Sequence, residues 1–345
     1  MRNFDYSIAR TIDDVFEADG SSTMPIAGGT ELLNWFRLGI ASPRSVIDLG
    51  RLKGFDQIVR RGDRLSIGAL ATLNEVGEHP LITAHAAVLG GACLKAASAQ
   101  IRNRATIGGN VLQKTRCSYF RAEAPLPWGC NKRDPGSGCA AREGLNERHA
   151  IFGWTDACVA VQPSDPLVAL AALDAEIEVR GREGRRSIRV ADFHLTQEEV
   201  AAEVREGRVQ LANPGDAARI ETRLRPGEVI VAYHLPVRAG QRSAYVKVRE
   251  RESYEYALVS AAVALSMDVG RIARISVVLG SVAQKPWRLA DAERRLIGLP
   301  ATRDAVMPIL RDALREAKPL HHNGYKVAMA AGAAARAIVE AGAGT

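Results

Sequence analysis

Aromatic residues are scarce in this chain: seven Phe, seven Tyr and four Trp amount to 5% of 345 residues. That is too few for the stacking platforms that hold single-stranded nucleic acid. Cations exceed anions, 46 Lys and Arg against 39 Asp and Glu, yet the signs are interspersed and no basic stripe stands out. Diffuse charge of this kind argues against a nucleic-acid surface and suits a small anionic ligand such as a dinucleotide. No apolar run is long enough to cross a bilayer, so no membrane span is expected. Five cysteines in a chain of this length are not a disulfide framework. No Gly-x-Gly-x-x-Gly follows a strand, and Gly-x-x-x-x-Gly-Lys-Ser/Thr and His-Glu-x-x-His are absent. These absences argue against a Rossmann cofactor site, a P-loop and a zincin. Internal repeats and low-complexity segments are also missing.

The opening Met1-Arg2-Asn3-Phe4-Asp5-Tyr6-Ser7 carries charges where a secretory signal has its apolar stretch. It predicts a chain that starts in the cytoplasm and that could still reach the periplasm carried by a signal-bearing partner.

Four of the cysteines, Cys117, Cys130, Cys139 and Cys158, fall in one irregular stretch rich in Gly, Pro and basic residues, about 113–158. They are separated by 12, 8 and 18 residues and include no Cys-x-x-Cys. The spacing leaves three readings: scattered free thiols, a structural zinc site, or an iron–sulfur cluster. A long structureless loop inside a compact domain is usually functional or disordered, and metal ligation can replace a missing core. His149 is a fallback ligand, whereas Cys93, among small residues, reads as a buried hydrophobe.

Two glycine turns precede this loop. Ala27-Gly28-Gly29-Thr30 follows the strand Met24–Ala27, and Thr106-Ile107-Gly108-Gly109-Asn110 adjoins the cysteines. A strand that stops at Gly-Gly can curl its amides toward one point, where a phosphate approaches without meeting a β-carbon. Thr30 and Asn110 add side-chain donors.

The patterning divides the chain into α/β units over 1–55 and 56–225 and a sheet-and-helix unit over 226–345. The last has strands at Val229–Tyr233, Ala244–Arg249 and Arg274–Leu279 and helices at Ala290–Ile297 and Ala328–Ala341. Ala84–Ala99 reads as one helix, and 197–218 as a polar connector.

Several segments together resemble the FAD subunit of the xanthine dehydrogenase and molybdenum hydroxylase family. Ala27-Gly28-Gly29-Thr30-Glu31-Leu32-Leu33 and Ile101–Asn110 look like its two flavin segments. Arg225-Pro226-Gly227-Glu228, Tyr245-Val246-Lys247-Val248-Arg249 and Gly280–Arg288 are similar to its C-terminal half. The cysteine loop narrows the likeness to the FAD subunit of bacterial periplasmic aldehyde oxidoreductases.

That resemblance implies an α+β fold: two N-terminal α/β subdomains forming a vanillyl-alcohol-oxidase-like FAD-binding domain, and a C-terminal domain like that of CO dehydrogenase flavoproteins. It implies FAD held by Ala27, Gly28, Gly29, Thr30 and Glu31 and by Thr106, Gly108, Gly109 and Asn110, with Ile67, Gly68 and Ala69 and Lys247 near the flavin. It implies a 4Fe–4S cluster on Cys117, Cys130, Cys139 and Cys158. As partners it implies a large molybdopterin subunit that oxidises an aldehyde to a carboxylic acid and a small subunit with 2Fe–2S clusters. Electrons would leave at FAD for oxygen, a quinone or a redox protein, and no catalytic acid, base or nucleophile is expected on this chain. The alternatives are the FAD subunit of a related dehydrogenase for a CoA thioester or N-heterocycle, or, in another class, a zinc-stapled interaction module.

Overall fold

The computed structural model describes residues 1–18 and 22–344. A small parallel sheet comes first, with β1 (Asp5–Ile8), β2 (Thr23–Ile26) and β3 (Ser45–Asp48) in the order β1-β3-β2. Helix Leu32–Arg37 follows β2 and buries Leu32 and Phe36 against Val46.

The middle unit is built on an antiparallel sheet. β4 (Ile58–Arg61), β5 (Arg64–Gly68), β6 (Glu176–Gly181), β7 (Gly184–Arg189) and β8 (Val229–Pro236) lie in the order β4-β5-β8-β6-β7. β8 sits between β5 and β6, with Tyr233 opposite both Ile67 and Ile177. The sequence pattern assigns this strand to the third unit, beyond a break at 226. Its pairing puts it in the middle sheet, and the third unit opens instead at β9 (Arg242–Val248).

The third unit orders its strands β12-β11-β10-β9, adding β10 (Val259–Asp268), β11 (Arg271–Gly280) and β12 (Trp287–Arg288). Both faces of this sheet are covered. Ala262, Ala264 and Val278 pack into the core of the middle unit, beside helices Ala87–Lys95 and Asp165–Ala172. Ala261, Val263, Leu265 and Val277 face the other way, toward helix Tyr325–Ala343. A strand buried on both faces reads as continuous apolar sequence, which is why β10 shows no alternation.

Local capping explains several helix starts. Thr72 accepts from the Glu75 amide while Glu75 reaches back to the Thr72 amide. Ser164 caps Asp165–Ala172, whose Pro166 suits a first turn. The single helix expected at 84–99 is three, Pro80–His85, Ala87–Lys95 and Ala99–Arg102. The expected connector at 197–218 contains helix Gln197–Arg205 with a Thr196 cap, and the 3-10 segment Pro214–Arg219. Helix Arg303–Ala313 has no counterpart among the sequence expectations.

The C-terminal helix anchors the end of the cysteine loop. Lys326 is fully buried, and its Nζ donates to the carbonyls of His149 (2.9 Å) and Ser281 (2.7 Å). Asn323, also buried, donates to the carbonyls of His149 and Ala150. Burial, aided by Arg148, pushes the Lys326 ammonium down from 10.5 to about 7. Between pH 7 and 10 the unfolded chain therefore binds more protons at this residue than the native one, and native stability rises with pH. In Lys326→Met this contribution vanishes. Urea unfolding at pH 7 and pH 10 should show the variant losing ground to the wild type by a few kcal/mol as pH rises. An equal difference at the two pH values would contradict the assignment.

Candidate functional site

A cleft of about 540 Å³ opens where the three units meet. Its walls include Ala27–Glu31, Thr106, Gly109 and Asn110, with Asp165 and the aromatic pair Tyr254 and Tyr256 from the third unit. The volume is within the range of cofactor pockets.

The two glycine segments enter this cleft in different ways. The first leaves β2 and turns into helix Leu32–Arg37, with Gly29 at φ +73°. Among the described residues, no protein group accepts from the amides of Gly28, Gly29 or Thr30, so they remain free for an anion. Gly28 also governs packing, because a β-carbon there would lie 1.8 Å from the Arg104 carbonyl oxygen. Its lack of a side chain lets the first unit touch the second.

The second segment is not a strand turn. Thr106 caps helix Ile107–Val111 by accepting from Gly109, and the Gly108 amide donates to the Ala69 carbonyl (2.9 Å). Gly108 is thus a packing glycine off the cleft wall, since its β-carbon would meet Ala69. Asn110 Oδ1 accepts from Ser164 Oγ at 2.7 Å, which leaves Nδ2 for the cleft.

Other expected positions are displaced. Ile67 is fully buried in the core, Gly68 packs against the Phe55 carbonyl and Ala69 backs Gly108, so none lines the cleft. Lys247 lies behind it. Its Nζ, almost fully buried, meets Asp165 Oδ2 at 2.8 Å and the Lys95 carbonyl at 3.0 Å. Tyr245 donates to the other Asp165 oxygen at 2.5 Å, and Asp165 presents this buried trio to the cleft. Burial holds the Tyr245 hydroxyl far above its ordinary pKa. The Ser-Asp-Pro helix start marks Asp165 in the sequence, but its partners lie 80 residues or more away.

Glu31 points away from the turn and into an ion cluster. It pairs with Arg116 at 2.8 Å and with Arg121, and accepts from Trp35 Nε1 at 2.7 Å. Burial opposes its charge, but the two guanidiniums prevail and hold the carboxyl below its ordinary range. Arg116 also lies 4.4 Å over the Tyr256 ring. Nothing in the sequence flags Arg116 or Tyr256 as cleft residues, because their approach is set by the third unit.

The four cysteines converge. Cys117, Cys130, Cys139 and Cys158 line one small cavity, while Cys93 is fully buried elsewhere, in the core. Cys130 and Cys139 face each other across a short bridge held by Asn131. The Asn131 Oδ1 accepts from Gly136 and Gly138 at 3.0 Å each, and its Nδ2 donates to Ala157 beside Cys158. Backbone amides lie near each sulfur: those of Phe120 and Tyr119 near Cys117, of Arg133 and Lys132 near Cys130, of Val159 near Cys139 and of Ala160 near Cys158. Burial pushes the Cys117 thiol up to about 12 and raises Cys130. The close approach of Cys139 and Cys158 raises the first thiol and lowers the second. Among the described residues, no three His, Cys, Asp or Glu side chains gather as a site for one metal ion; the four thiols share the lining of one cavity.

Beneath the cavity, the nearly buried Lys132 donates to Glu221 at 2.7 Å and to the Ala218 carbonyl at 2.6 Å, and Lys114 also pairs with Glu221. Against burial, the two ammoniums hold the Glu221 carboxyl down at about 2. His149, 5% exposed, lines the cavity too, and burial, then Lys326, pushes its imidazole down to about 4.

Residues 2–238 match the family described as the FAD binding domain in molybdopterin dehydrogenase, and 244–341 the CO dehydrogenase flavoprotein C-terminal domain. The chain is 42% identical over 320 residues to the aldehyde oxidoreductase FAD-binding subunit PaoB of Escherichia coli K12, covering 92% of this chain and 90% of that protein. It is 23% identical to the glyceraldehyde dehydrogenase medium chain of Sulfolobus acidocaldarius, covering 92% and 89%. The fold is similar to a carbon monoxide dehydrogenase chain from Hydrogenophaga pseudoflava, with a TM-score of 0.73, 23% identity, and 99% and 98% of the two chains covered.

Gly28→Ala tests the contact between the first two units. The new methyl must displace the Arg104 carbonyl, which splays the cleft. Purified variant is expected to keep its thermal transition within a few degrees while flavin affinity falls about tenfold or more, read as released flavin per folded chain. Full flavin content would show that the contact does not shape the cleft.

Proposed function

Since this chain belongs to the FAD-binding subunits of the molybdenum hydroxylase family, we propose that it is the electron-transfer subunit of a heterotrimeric aldehyde oxidoreductase. We assign it FAD in the cleft and a 4Fe–4S cluster on Cys117, Cys130, Cys139 and Cys158. A large molybdopterin subunit would oxidise aldehyde to carboxylic acid, and a small 2Fe–2S subunit would relay electrons. The observation that carries the cluster is the convergence of four cysteine thiols on one cavity, with a backbone amide near each. Four cysteines are the usual ligands of such a cluster, and amides aimed at sulfur are a common means of tuning it.

The aldehyde reading is supported by the 42% identity to the aldehyde oxidoreductase subunit, against 23% to a nicotinate dehydrogenase subunit and 26% to a nicotine 6-hydroxylase subunit. When bound, FAD supplies two-electron and one-electron redox chemistry, and the protein supplies position and potential. Here the free amides of Gly28–Thr30 and the Asn110 amide group offer donors to an anionic chain, and Lys247 and Tyr245 fix Asp165 at the cleft wall. Arg116 and Arg121 at the start of the cysteine loop and Lys132 beneath the thiols favour the more negative, reduced forms of groups bound there.

The ligand set is tested by iron content. Cys158→Ser is expected to lose most of its iron, because it removes one corner of the ring. Cys93→Ser should keep all of it, because that thiol lies in the core. Loss from Cys93→Ser with retention in Cys158→Ser would overturn the assignment.

A further inference from the structure

We propose that the His149 imidazole donates a hydrogen bond to a sulfur of the cluster assigned to the four-cysteine cavity, acting as a tuning neighbour and not as a ligand. The inference rests on that cluster reading. His149 is 5% exposed, lines the same cavity as the four thiols, and has no hydrogen-bond partner on either ring nitrogen. The Asn146 carbonyl lies near the ring without closing a hydrogen bond. A buried ring with both nitrogens unmet calls for a partner. The groups that would fill this cavity, thiolates and inorganic sulfides, are acceptors.

The backbone of His149 is fixed from two sides. Its amide donates to the Asn146 carbonyl at 3.1 Å, and its own carbonyl accepts from Asn323 and Lys326 of the C-terminal segment. The ring is therefore held at the cavity wall by contacts independent of the cysteines. Four cysteines already complete the ligand set of a 4Fe–4S cluster, and a neutral imidazole has one N–H to give. An N–H aimed at sulfur stabilises the more negative, reduced cluster and raises its potential.

Two measurements on the full complex test this. In the first, His149→Phe and His149→Gln are compared with the wild type for iron, sulfide and cluster potential in an EPR-monitored redox titration. All three proteins should hold the same iron. Reduction should become about tenfold less favoured in His149→Phe, a fall of about 59 mV for one electron, and recover in His149→Gln, whose amide restores a donor. In the second, unmutated protein carrying ring-15N histidine is reduced and its cluster studied by pulsed EPR. This arm does not depend on either variant folding. A weak nitrogen coupling is expected. Iron loss in both folded variants, or a strong coupling, would make His149 a ligand and overturn the proposal. Full iron with an unchanged potential in His149→Phe, or no coupling, would overturn it as well. Wild-type protein without iron would instead defeat the cluster reading itself, and the inference with it.

Discussion

The structure turns on Glu31 and the two arginines that hold it. Glu31 is the last residue of the first glycine turn, and Arg116 and Arg121 flank Cys117 and its short helix Ser118–Arg121. This one carboxylate ties the cleft wall from the small parallel sheet to the start of the cysteine loop, across 85 to 90 residues of sequence. Arg121 also binds the carbonyls of Lys114 and Thr115, which fixes the path of the chain between the two sites. Such a buried cluster is weak evidence for stability, since desolvation offsets much of the attraction, but it fixes relative position. Position is what the two neighbouring sites share through this cluster. Gln113 and Arg116 line the cleft while Thr115 and Cys117 line the thiol cavity, so one short stretch forms part of both walls.

Around the thiols, side-chain hydrogen bonds organise irregular backbone over a lining of buried apolar residues such as Phe120, Val159 and Ala160. Asn131 closes the turn that joins Cys130 to Cys139, and glycines at φ +92° and +96° permit that turn. Lys132, beneath the cavity, is neutralised in part by Glu221, which itself shares Lys114. The cavity thus meets buried positive charge and nearby backbone amides. In the protein without metal, at least Cys117, Cys130 and Cys139 are held protonated. Metal ligation would release those protons and couple loading to pH.

Much of this is legible in the sequence, though sometimes for a different reason. Four clustered cysteines in an irregular loop mark a site, and they do share one cavity; their spacing alone does not separate cluster, zinc and free thiols. Gly28 reads as a phosphate-turn residue, and its closest constraint is the Arg104 backbone. Gly108 looks like its counterpart and proves to be a packing glycine, because Thr106 starts a helix there. Ile67–Ala69 and Lys247 come from a family likeness, yet the first lie in or behind the core and the second reaches the cleft only through Asp165. β10 escapes the pattern because burial on both faces erases alternation, and β8 falls in a different sheet from the one expected because pairing partners are not written locally. Arg116 and Tyr256, which no local pattern reveals, and Asp165, whose partners lie far along the chain, owe their roles to contacts between units.

The central claim is that this chain holds two redox groups, one in the cleft and one in the thiol ring. Its most direct test is an ultraviolet–visible spectrum of anaerobically purified protein, with FAD, iron, sulfide and zinc quantified in the same sample. The account predicts one FAD with about four irons and four sulfides per chain and no stoichiometric zinc. Folded protein with one zinc and no iron in the thiol ring, or with no flavin, would contradict it.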